Sequence, residues 1–253
     1  MLYCVAVATL TTQSADTTPQ SRALRSTVAR KFLMALTGIF LVAFLAMHMF
    51  GNLKLLMNDS GAEFDAYSHA LRQFLVPILP PYFFLTLFRI VLGAAVIIHM
   101  GLAIDLTLRD RKASGVGFKR YVQRRYLEGS FAARTMIWGG IIIALFLVFH
   151  LLQFTDQIIK VGYSAGDPAV DQPHLRVILG FQNWGIYAIY FVAMLAVCLH
   201  IWHGFRSAFS TLGWRVGNSS TVVIKVCAWL VSILVFVGFM LVPTLIAFGV
   251  ITQ

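Results

Sequence analysis

Five stretches of the chain, at about residues 32–53, 82–104, 135–155, 184–205 and 222–249, are each apolar over about 20 residues or more. That is the length a helix needs to cross the hydrocarbon of a bilayer, where every backbone polar group must be satisfied within the segment. None of the five alternates as a barrel strand would. Hydrophobic residues make up 59% of the 253 and charged residues only 12%, about half the charged fraction of a soluble domain. Together the spans leave no room for a separate soluble domain. The chain reads as an all-α membrane protein: a five-helix transmembrane bundle over residues 30–253, with a flexible tail at 1–29. The tail opens MLYCVAVATLTT, which lacks the basic start of a signal peptide, and continues in the polar TTQSADTTPQSR.

Orientation follows from the basic residues. Arg22, Arg25, Arg30 and Lys31 precede the first span. The second connection carries Arg109, Arg111, Lys112, Lys119, Arg120, Arg124, Arg125 and Arg134, and the fourth carries Arg206, Arg215 and Lys225. The first and third connections hold only Lys54, Arg72, Lys160 and Arg176, a bias of 15 against 4, with Arg89 inside the second span. The amino terminus is therefore expected in the cytoplasm and the carboxyl terminus outside, in a multi-pass protein of the inner (plasma) membrane. The net charge of +10 reflects this bias and contacts with anionic lipid or a cytoplasmic partner. It does not point to nucleic acid, because no soluble fold is available to present it.

The connections add detail. NDSGAEFDAYSHALRQFLVPILPP predicts a turn, an amphipathic helix from about Ala62 to Leu75, and a stop at Pro77, Pro80 and Pro81. Phe64, Leu71 and Leu75 are expected on the outer membrane surface. YSAGDPAVDQPH, rich in turn formers, is expected to be irregular. SGVGF in the second connection lacks the GK[ST] of a phosphate loop and receives no nucleotide role.

Four histidines, His48, His99, His150 and His200, recur at intervals of 51, 51 and 50 residues, each near the end of an apolar span. Ionisable side chains are expensive in a bilayer and mark function by default. At about 1.5 Å per residue, His48 lies roughly 24 Å beyond Phe32 and His150 about 22 Å beyond Thr135. Both spans run outward, so these two are near the outer face. His99 and His200, on spans running inward, are near the cytoplasmic face. The expected pairs are His48 with His150 and His99 with His200. Facing imidazoles can occupy both axial positions of a haem iron, and bundle cores host such sites. An interhelical hydrogen bond is the plainer role for any one membrane histidine; two depth-matched pairs favour haem ligation. His203, one turn beyond His200, is the rival ligand. His69 and His174 fall in connections, as solvent-facing or quinone-site residues.

HMFGNLKLLM around His48, FHLLQFT around His150 and, above all, HIWHGFRSAFSTLGW from His200 resemble the membrane anchor of succinate:quinone oxidoreductases and fumarate reductases. The pattern is that of the single-chain, five-helix cytochrome b type with two haems, and the similarity runs from about Arg30 to Phe248. The resemblance implies a chain that holds a flavoprotein subunit and an iron–sulfur subunit on the membrane and exchanges electrons with a quinone, menaquinone as first expectation. It implies two b-type haems, one on His99 and His200 near the iron–sulfur subunit and one on His48 and His150 at the outer side. The basic second and fourth connections are the expected docking surface. Succinate chemistry itself is not expected here: the chain has no Rossmann-type glycine pattern and too few cysteines for a ferredoxin.

Two further readings stay open. Cys198 and Cys227 lie near the depth of His99 and His200, and two cysteines with two histidines are the ligand set of a Rieske-type [2Fe–2S] centre. Cys198 and His200, about 200° apart on a helix, argue against a shared cluster. A proton-relaying transporter is the alternative outside redox chemistry, although five spans preclude a simple duplication. A quinone site needs hydrogen-bonding groups at a water-accessible depth. Candidates on the outer side are Tyr67, His69, Arg72, Arg89 and Asp156; on the inner side they are Ser26, Arg30, Asp105 and Trp214.

Overall fold

The computed structural model describes residues 26–57, 61–114 and 130–252, with side chains omitted at 113, 114 and 130–134. Most of the 1–29 tail, with Arg22 and Arg25, and the part of the second connection carrying Lys119, Arg120, Arg124 and Arg125 lie outside the described residues. All regular structure among the described residues is helical: α1 (Thr27–Leu53), α2 (Ala62–Arg72), α3 (Phe83–Ser114), α4 (Ser130–His150), α5 (Pro173–Phe181), α6 (Trp184–Thr211) and α7 (Asn218–Ala247). Five segments are long and apolar enough to cross a membrane: Thr27–Leu56, Phe83–Lys112, Thr135–Thr155, Trp184–Thr211 and Asn218–Ala247. The five expected spans are these five segments; the third coincides with its apolar stretch, and each of the others runs beyond its own by a turn or more at one end at least.

Local chemistry sets several boundaries. Ser26 Oγ accepts from Ala29 N–H at 3.1 Å at the start of α1, and Asn183 Oδ1 accepts from Gly185 and Ile186 N–H at the start of α6. Both satisfy donors that a first helical turn leaves unpaired. Pro173 opens α5, where its missing N–H costs nothing. The short α2 has Glu63 and Asp65 in its first turn and His69 and Arg72 in its last, each matched to the helix dipole.

α6 packs on α7, α1 and α4, and α1 also packs on α3 and α7. The inward faces of α6 and α7 form one apolar cluster of Met194, Val197, Ile201, Val235 and Met240. A second cluster closes the end at which α1 finishes, joining Leu55, Ile178, Phe181, Ile186, Tyr190, Val242 and Ile246. The outward faces carry exposed apolar residues such as Ile90, Ile97, Leu145, Leu199 and Leu234, the composition a lipid solvent demands. We call the end where α1 begins the near end and the opposite one the far end.

Two expectations need correction. The YSAGDPAVDQPH segment is irregular as expected up to a 3-10 turn at Pro168–Val170, but its Pro173 opens the helix α5, which was not expected. Ile178, Gly180 and Phe181 of that helix are buried, so an apolar run too short to span is instead folded back onto the bundle. His69 stands on α2, within the amphipathic helix expected there, whereas His174 stands on α5. His69 is exposed on α2, whereas His174 is tied to Asp65: its backbone N–H donates to Oδ1 at 3.0 Å and its Nδ1 lies 2.7 Å from Oδ2. That clamp joins α2 to α5 across 109 residues of sequence. Phe64 turns toward the far-end cluster, and Leu75 falls beyond α2 with φ 68°; α2 therefore rests on protein along one side.

Candidate functional site

The four histidines meet in two pairs. His48 on α1 and His150 at the end of α4 have ring centres 5.8 Å apart at the far end. His99 on α3 and His200 on α6 have ring centres 6.1 Å apart at the near end. Two imidazoles sharing one metal, at about 2.1 Å per bond, hold their ring centres about 6 Å apart. Both pairs have that separation. His99 bonds to Thr37, 11 residues before His48 on the same helix, so the pairs stand about 16 Å apart along the bundle axis.

The surrounding groups fix the tautomers. The Tyr190 hydroxyl has one proton and donates it to Gln153 Oε1 at 3.0 Å. His150 Nδ1, 3.1 Å from the Tyr190 hydroxyl oxygen, must therefore be the donor there, which leaves Nε2 with its lone pair. Gln153 is 3% exposed and sits in the π turn Leu151–Thr155 that continues α4. Such turns within helices recur at functional sites. His99 repeats the logic. Thr37 Oγ1 donates to the carbonyls of Leu33 and Met34, at 3.0 and 3.1 Å, and so accepts from His99 Nδ1–H at 3.2 Å. In each pair one imidazole is thus held by its Nδ1–H with the far nitrogen free, the arrangement in which an outer partner orients a metal-binding histidine.

The partners complete the fit. His200 Nδ1 is buried and has no hydrogen-bond partner, an arrangement that is rare and costly for an interior nitrogen. Gly38 leaves room for the His99 ring: a methyl group there would come within 3.3 Å of Cε1. Around the far pair, Phe44 stacks on His48 and Phe146 and Phe154 flank His150, giving an apolar envelope. The donor set, paired imidazoles in apolar surroundings, is of the kind that would fit a haem iron.

His203 is half-buried one turn on, but it is His200 whose ring faces His99. Cys198 and Cys227 lie on α6 and α7 with free thiols. Among the described residues no group of three or more His, Cys, Asp or Glu gathers at metal-binding range.

Of the inner quinone candidates, Arg30 and Asp105 are brought together as an ion pair between α1 and α3. Arg109 joins them through Nε at 2.8 Å, and Ser26 caps α1 one turn earlier. Trp214 lies elsewhere at that end, exposed and edge-on to Phe209. Of the outer candidates, Tyr67, His69 and Arg72 share α2; the Tyr67 ring lies over Gly51, where a Cβ would come within 2.8 Å of Cε1. Arg89 and Asp156 are exposed, the first in α3 and the second closing the π turn.

Sequence reasoning missed three polar groups at the far end. Gln153 and Tyr190 are described above. Arg176, counted only as a charge, is 6% exposed. Its Nη1 donates to the carbonyls of Ala169 and Val170, while Nε has no partner. Burial draws the guanidinium below its ordinary pKa, with Tyr163 acting in the opposite direction; an arginine remains a cation at neutral pH regardless. Burial likewise pushes the Tyr163 phenol upward, and its hydroxyl is also buried without a partner. The available signal was the position of Arg176 inside an apolar run, RVILGF, that is too short to span a membrane.

The chain matches no family model, no curated protein and no solved structure.

Proposed function

We propose that this chain is the membrane anchor of a succinate:quinone oxidoreductase or fumarate reductase, passing electrons between an iron–sulfur partner and membrane quinone through two haem b groups. The observation that carries this reading is the pairing of four span histidines at both ends of one bundle, each pair about as far apart as a shared metal requires. The resemblance of the segments around His48, His150 and His200 supplies the assembly. His99 and His200 would hold one haem and His48 and His150 the other; bound there, the haems supply one-electron transfer across the membrane. Thr37 and Tyr190 keep the ligand nitrogens of His99 and His150 unprotonated, and the phenylalanines around the far pair exclude water. Two unpartnered donors at the far end, Arg176 Nε and the Tyr163 hydroxyl, favour that end for a quinone carbonyl, since reduction there needs hydrogen-bonding and proton-donating groups.

The test is a pyridine haemochrome assay on the purified complex with its flavoprotein and iron–sulfur subunits. Two protohaems per chain are expected. A complex that is active with quinone but holds no protohaem would overturn the reading.

The basic bias supports an orientation with the near end, and the basic second and fourth connections, in the cytoplasm. A phosphatase fused after Gln253 should then be active in the periplasm, and cytoplasmic activity of that reporter would reverse the assignment of the two ends.

A further inference from the structure

Gln153 is 3% exposed and its partner on α6, Tyr190, 7%. An amide and a phenol buried among apolar groups must be paired, and these two form a hydrogen-bonded chain with His150. The Tyr190 O–H donates to Gln153 Oε1 at 3.0 Å, and the Tyr190 oxygen lies 3.1 Å from His150 Nδ1. The protons allow the chain only one sense. A phenol has one proton, a neutral imidazole one and an amide oxygen none. With Oε1 closing the chain, the phenol proton is committed to Gln153 and the imidazole proton to Nδ1. Without that acceptor the phenol is free to turn its proton to Nδ1, and the imidazole proton then stands on Nε2. Gln153 does not touch the imidazole in this chain; it acts on it through one hydroxyl.

The helix α5 holds both supporting groups. Phe181 lies edge-on against the Tyr190 ring with centres 4.8 Å apart, and Phe146 of α4 does the same at 4.8 Å. Gly180, also buried, lies over the amide: a methyl group there would come within 3.2 Å of Gln153 Nε2. The amide nitrogen therefore faces α5 while the oxygen faces Tyr190. The sense of the chain depends on that orientation, because a reversed amide would offer a donor to the phenol and release the phenol proton to His150.

We propose that Gln153, seated against α5, is the positioning residue that assigns the His150 proton to Nδ1 and so keeps the Nε2 lone pair available. The purpose of the device rests on the proposed haem assignment; the tautomer itself is a property of the chain before any haem is bound.

The experiment records nitrogen spectra of the full chain in nanodiscs, free of haem and labelled with 15N-histidine. The His150 signals are identified by their absence from His150→Gln. Nδ1–H is expected in the unsubstituted chain and Nε2–H in Gln153→Met, with Gly180→Val reproducing the change by driving the amide off its seat. Tyr190→Phe and Tyr190→Phe/Gln153→Met should give the same His150 spectrum, since the amide acts only through the hydroxyl. After haem is added, Gln153→Met should hold the far centre about tenfold less tightly and the near centre unchanged. Nε2–H in the unsubstituted chain, Nδ1–H retained in Gln153→Met, or an effect of Gln153→Met that persists without the Tyr190 hydroxyl would overturn the proposal. The expected tautomers in a chain that takes up no haem would support the role of Gln153 and sink the haem assignment alone.

Discussion

Under the proposed haem assignment, replacing His99 or His200 with alanine is expected to remove one and the same redox centre, and replacing His48 or His150 to remove the other. The ring pairs cross between helices, α3 to α6 and α1 to α4, so each variant leaves a single imidazole where two would hold the group. The loss in each case is total for one centre and negligible for the other, because the pairs stand about 16 Å apart along the axis. Redox-titrated optical spectra of the four variant complexes check this. A common centre lost in both the His48 and His99 variants would refute the assignment. Tyr190→Phe gives the internal contrast. It deletes the acceptor of His150 Nδ1–H and the donor to Gln153 while leaving both imidazoles, so the far centre should remain bound with a shifted potential. Thr37→Val should do the same to the near centre through His99.

Gly61→Ala is expected to be the most destabilising single-methyl change in the connections. Gly61 holds φ 65° at the start of α2, a left-handed conformation that costs an alanine about 1–2 kcal/mol. The added Cβ would also stand about 2.5 Å from the His174 ring, so the ring must leave Asp65. Losing the ring's hydrogen bond to Oδ2 removes about 1.5 kcal/mol, for a total of about 3 kcal/mol. Local opening of α2 should then rise about a hundredfold, measured as hydrogen exchange at the α2 amides. Asp65→Asn, which keeps the glycine and an acceptor for the His174 backbone N–H, should have an effect several-fold smaller. Unchanged α2 exchange in Gly61→Ala would show that the clamp does not hold α2 to α5.

The bundle was legible from composition and length alone, and the reason is physical. In hydrocarbon a backbone segment has no external partner for its N–H and C=O groups, so a run of about 20 apolar residues has one solution, a helix. The histidine pairs were legible for a related reason: alternating span directions and a fixed rise per residue place each histidine at a depth before any packing is known. Both inferences use one dimension, position along the membrane normal.

What lay outside that dimension was decided by tertiary structure. Nothing in the sequence shows that His150 donates to Tyr190 or His99 to Thr37, since those contacts depend on how α4 and α1 are rotated against their neighbours. Rotation also decides between His200 and His203, which lie on one helix three residues apart. The connections are aqueous, so turn-rich composition there does not specify a fold; α5 and the Asp65–His174 clamp form because Ile178 and Phe181 find an apolar surface to cover at the far end. Depth is set by the solvent and can be read from the chain, whereas azimuth and loop docking are set by side-chain packing, which exists only once the helices have assembled.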